Sequence, residues 1–124
     1  MDLFNFFHKP EPEPERRTPK IGSTLMPAWQ ASSLFVRFLD SRKVTGWTHT
    51  FSAVERAIAS GDAAEALRLF DAVPMVNMGS FSDLIICGEN GHRTSEPSLD
   101  NDIMWVLHLC LQEELQSLRS QFKE

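Results

Sequence analysis

Apolar side chains recur at helical spacing in four stretches of the chain. Between Pro27 and Arg42, Trp29, Leu34, Phe35, Phe38 and Leu39 fall near one face, which predicts a first helix. Pro27 suits its first turn, and Arg42 and Lys43 complement the dipole at its end. Phe51, Val54, Ala57 and Ile58 predict a second helix starting between Thr48 and Ser52, where Ser52-Ala53-Val54-Glu55 has capping-box spacing. Gly61 is placed to end it in a left-handed conformation. Asp62-Ala63-Ala64-Glu65 offers another box, and a third helix runs on through Ala66, Leu67, Leu69 and Phe70 until Pro74. These two helices make an αα-hairpin. The last helix, 98–122, carries Leu99, Ile103, Leu107, Leu111, Leu115, Leu118 and Phe122. Ser98 is its expected N-cap, with Asp100 and Asp102 in the first turn. It is apolar nearly all round, so it is expected to be the core helix with the other three packed around it.

Residues 75–98 have no clear period. Ser82–Cys87 is β-prone and Asn90-Gly91 is a turn signal, which suggests a small hairpin pairing 83–88 with 92–96. The expected fold is therefore mainly α: one four-helix domain with a long C-terminal core helix and at most a β-hairpin at 83–96. Ahead of it, Pro-Glu-Pro-Glu-Pro-Glu at 10–15 is an extended spacer. The spacer divides an aromatic head (Leu3, Phe4, Phe6, Phe7) from the domain, so residues 1–20 form a head and linker and 21–124 the domain.

Composition narrows the function classes. The 124 residues carry 17 acidic and 12 basic side chains, a net charge of −5 that argues against nucleic-acid binding. No apolar run approaches the ~20 residues that span a bilayer. The N-terminal run lacks a basic flank and is too short for a signal peptide. Two cysteines, Cys87 and Cys110, are too few for a disulfide framework. Reduced thiols in a cytoplasmic protein are the expectation, with a Cys87–Cys110 bridge as the alternative.

Candidate chemistry is thin. Cys87, His92, His108 and Cys110 are zinc-type residues, but His108 and Cys110 lie about 200° apart around one helix and cannot face one ion. His108 is expected to be a hydrogen-bonded core or boundary histidine. Cys87 with His92 lacks a third group to orient the base, and Ile85 and Ile86 suit an inert thiol. Ser80, in Gly-Ser-Phe-Ser, lacks the second glycine of a nucleophile elbow, and Gly88 and Gly91 are followed by no phosphate-loop lysine. Gly61–Phe70 is similar to a tetratricopeptide helix, but the ~34-residue period does not recur. The chain is thus expected to be no enzyme, with no cofactor and no metal.

Charge position says more. Residues 83–102 hold Asp83, Glu89, Glu96, Asp100 and Asp102 against Arg93 alone, a net −4 in the least regular region. Residues 1–20 cancel to zero. An acidic loop on a rigid body suits a basic protein partner, with Phe81 as an exposed aromatic anchor.

The stretches Met78-Gly79-Ser80-Phe81-Ser82-Asp83-Leu84 and Asn90-Gly91-His92 resemble a bacterial family, a domain of unknown function. That family has a Met-Gly-Ser/Gly-x-x-Asp-Leu motif, then Asn-Gly-His, then a C-terminal helix. The resemblance covers about residues 65–120, and the family is similar in style to toxin immunity proteins. It implies a binding protein that occludes a toxin's active site, and no catalytic residue to carry over. Expected partner-binding residues are Phe81, Asp83, Glu89, Asn90, His92, Glu96, Asp100 and Asp102. The shared motif also has a structural reading: glycine turns, Asp83 and Asn90 bonding local backbone, and His92 locking the loop onto the last helix. The competing function is a helical adaptor tethered through residues 1–20.

Overall fold

The computed structural model describes residues 18–73, 81 and 84–122. The aromatic head with its Pro-Glu spacer, the Met78-Gly79-Ser80 motif and Asp83 lie outside them. Four helices follow in order: α1 Met26–Ser41, α2 Thr45–Ala59, α3 Ala63–Asp71 and α4 Pro97–Phe122.

Two of the helix ends use one device. Gly61 stands at φ +83°, its N–H donating to Ile58 O (2.9 Å) while Asp62 N–H donates to Ala57 O (2.9 Å). This Schellman pair turns α2 into α3 as the glycine predicted. At the end of α1 the same two bonds recur, Lys43 N–H to Asp40 O (3.0 Å) and Val44 N–H to Leu39 O (3.0 Å). Here a lysine takes the left-handed place, at φ +58°. Val44 and Leu39 are both buried, the apolar contact that accompanies the motif.

That early turn starts α2 seven residues before Ser52, so the Ser52 capping box is not used. The apolar row Trp47, Phe51, Val54, Ile58 outweighs the local cap signal. The Thr48 and Thr50 hydroxyls donate back to Val44 O and Gly46 O inside the helix. At α3 the Asp62 carboxylate does accept from Glu65 N–H (3.0 Å), but Glu65 turns outward to Arg68 and leaves half a box.

The helices form a ring. α1 lies along α2 and α4, α2 along α3, and α3 touches α4 only slightly. The contacts Arg42–Asp100 and Phe35–His108 make α1 and α4 antiparallel. The middle is filled by rings: Phe35 against Phe51 (4.8 Å), and Phe81 against Phe51 (5.3 Å), Trp47 (5.2 Å) and Trp105 (5.4 Å). Phe81 is fully buried. The exposed anchor expected at that position is therefore corrected: a large ring beside three core aromatics gains more by burial than any loop position could offer it.

α4 sends Met104, His108, Leu111, Leu115 and Leu118 inward. The other helices cover it on that side only. On the opposite face Leu99, Val106 and Leu109 are 50–57% exposed. No strand occurs among the described residues. In place of the expected hairpin, 84–87 has no regular structure, and an extended Cys87 leads into a 3-10 turn, Gly88–Asn90.

Candidate functional site

Residues 84–96 leave the aromatic core and cross the N-terminal end of α4. Their hold on the body comes from a residue that sequence reasoning missed. The Asn101 side chain accepts from Ile86 N–H (2.9 Å) and donates to Ile86 O (3.0 Å), so one amide does for Ile86 what a neighbouring strand would do. Its NH2 group also reaches Pro97 O (2.7 Å). An asparagine in the first turns of a helix, where its helix propensity is poor, is the available sequence signal.

The Asn90-Gly91-His92 motif is turned on its own loop. Gly91 sits at φ +84° and Asn90 donates from its amide to Ile85 O (3.0 Å). His92 Nδ1 accepts the Cys87 N–H (3.2 Å), which leaves the neutral ring's proton on Nε2. His92 thus locks residues 87–92 to each other, in place of the expected contact with the last helix. With Nδ1 so occupied, the ring is not a base for the Cys87 thiol. Cys87 is half-buried and Cys110 exposed, both as free thiols.

The acidic residues separate into two kinds. Asp100 is buried and committed. Arg42 forks onto it through Nε (2.8 Å) and Nη2 (3.0 Å), and Thr94 donates its hydroxyl (2.6 Å). The Arg42 bonds hold the Asp100 carboxyl below the usual carboxylate range against the opposing effect of burial. Asp100 is therefore withdrawn from the expected partner face: a buried carboxylate here needs its cation. Glu89, Glu96 and Asp102 are exposed, with no ion pair to them among the described residues. Asn90 is exposed and His92 half-buried.

An open cleft of about 540 Å³ lies over this junction, with Arg42, Asp100 and Thr94 as floor and Arg93, Glu96 and Leu99 as rim. The Arg93 N–H ties the loop to α1 by donating to Arg42 O (2.8 Å). The floor is internally neutralised, so the cleft offers two free charges of opposite sign, Arg93 and Glu96, on a rigid base. That suits recognition and lacks a paired acid and base. No three metal-type side chains gather among the described residues. No described helix is long and apolar enough to cross a membrane.

Further along α4 the residues facing away from the body are Leu99, Asp102, Val106, Leu109, Cys110 and Glu113, all exposed and in register by threes and fours. They form an apolar row edged by acids, continuous with the acidic loop. Comparison with protein-family models, curated proteins and solved structures returns no match.

Proposed function

We propose that this chain is a binding protein without catalytic chemistry: an immunity protein that occludes the active-site cleft of a basic toxin domain in the bacterial cytoplasm. The observation that supports this reading is the outer face of α4. Leu99, Val106 and Leu109 are about half exposed on a helix that buries Met104, Leu111, Leu115 and Leu118 on its other side, and Asp102 and Glu113 edge them. An apolar row of this kind rimmed by charge marks a protein-binding surface. Glu89 and Glu96 extend the same sign of charge onto the loop. The acids would steer a basic partner and fix its orientation, and the apolar row would take over the anchoring expected of Phe81.

The test is co-expression with the product of the neighbouring gene. The wild-type chain should form a complex and restore growth. The triple variant Glu89→Lys, Glu96→Lys, Asp102→Lys should keep its circular dichroism and Tm while losing both. No complex and no rescue by the wild type would sink the reading. Deleting residues 1–20 should leave neutralisation intact; loss of the partner on that deletion supports the tethered adaptor instead.

A further inference from the structure

Both faces of α4 are spaced alike. Inward, Met104, His108, Leu111, Leu115 and Leu118 follow one another by fours and threes, all buried, and α1 packs along α4. His108, expected to be hydrogen-bonded, finds no partner for either ring nitrogen among the described residues, and burial favours its neutral form. Outward, Leu99, Asp102, Val106, Leu109 and Glu113 follow by threes and fours, and every one is exposed. Ile103 and Trp105, half-buried, flank this second row on its two sides. A spacing that alternates three and four holds a second helix alongside at a shallow crossing angle, so contact lasts several turns. An extended strand, with its period of two, cannot follow it.

The charges say which kind of helix fits. Asp102 and Glu113 stand in line with Val106 and Leu109, one before and one after, about three turns and ~16 Å apart. No ion pair reaches either acid among the described residues. Two copies of this chain would set acid against acid in both orientations. A parallel pair puts Asp102 on Asp102, and an antiparallel pair centred on Val106 and Leu109 puts Asp102 on Glu113. Like charges facing across an interface oppose association. We infer that the outer row of α4 seats an amphipathic helix of the partner, whose aliphatic stripe covers Val106 and Leu109 between two basic residues, about three turns apart, that meet Asp102 and Glu113. This rests on the reading of the chain as a binding protein and names the element that it binds.

The probe is a synthetic amphipathic helix with leucines through its middle and a lysine at each end of the leucine row, about three turns apart. One matched peptide carries glutamate for both lysines, and another carries proline at its centre, which breaks the helix. Each is titrated into the full-length wild-type chain and followed by amide NMR. The lysine helix should shift Val106, Leu109 and their outward neighbours, and should bind at least about tenfold more tightly than either matched peptide. Asp102→Lys with Glu113→Lys should reverse the preference between the lysine and glutamate helices. Equal binding of those two helices to the wild type, equal binding of the proline peptide, or shifts that miss the outer row would overturn the assignment. So would a concentration-dependent dimer through α4, or shifts at Val106 and Leu109 on deleting residues 1–20 without peptide, which give the row to a second copy or to the chain's own head. The two readings fail separately. A co-expression complex that forms while no peptide binds the row keeps the immunity reading and removes this one.

Discussion

Arg42 and Asp100, 58 residues apart in sequence, meet as a two-pronged ion pair that ties the end of α1 to the start of α4. The guanidinium keeps 31% of its side-chain surface in water and the carboxylate only 6%. Removing the cation therefore strands a buried charge. Arg42→Ala should cost roughly 2 kcal/mol, below the usual range for a fully buried pair because Arg42 is partly solvated. A fall in the urea midpoint with an unchanged m-value is the expected result.

Acid stability should fall in two windows. His108, with a folded pKa of about 4 against an ordinary 6.5, resists protonation in the fold. Between those values the unfolded chain binds the extra proton, so stability declines as pH falls from 6.5 to about 4, by roughly 3 kcal/mol in all. Asp100 has the opposite origin: its folded pKa is depressed, so its stabilisation is present above the ordinary 3.8 and is lost as pH falls below it. Urea midpoints measured along a pH series should show both declines, and His108→Leu should flatten only the upper one.

Lys43 is strained where Gly61 is not. Both occupy the left-handed place of a Schellman turn. Lys43→Gly should raise stability by about 1 kcal/mol, since a left-handed residue with a Cβ costs ~1–2 kcal/mol and glycine gives part of that back as chain entropy. The reverse change, Gly91→Ala, should cost about 1 kcal/mol even though its Cβ would meet open space, because the penalty lies in φ +84°. Thermal unfolding of the two variants should move in opposite directions.

The two faces of α4 should respond differently to truncation. Met104→Ala removes a fully buried side chain and should cost about 2–5 kcal/mol. Val106→Ser and Leu109→Ser should each change stability by less than about 0.5 kcal/mol. Calorimetry of the three variants checks this directly, and a large loss at Val106 or Leu109 would mean that the row is internal packing.

How far the sequence could be read depended on how local the physics was. The Ser60-Gly61-Asp62 hairpin was legible because one glycine and one cap decide it within six residues. The helix of 98–122 was legible because its apolar spacing runs for seven turns. The start of α2 was not, since Ser52 advertises a cap that the longer row from Trp47 overrides. Phe81 and Asp100 were misplaced for a related reason: their partners, Phe51 and Trp105 for one and Arg42 for the other, lie far along the chain. Net charge by segment counts Asp100 as acidic surface until Arg42 is beside it. Asn101 escaped notice because its work is done on the backbone of Ile86, fifteen residues earlier, and no side-chain pattern records that.

The ring of helices has one thin join. α3 has only nine residues, and α4 is held to it chiefly by Phe70 on His108 and by the Asp71–Arg119 fork, whose partners are 52% and 38% exposed. An ion pair that wet is screened by salt. The domain therefore has a place to breathe: α3 and α4 can part while α3 stays on α2 and α1 and α4 stay clasped by Arg42 and Asp100. Amides of α3 should exchange with solvent through a partial opening that spares α1, and this opening should become more frequent as ionic strength rises.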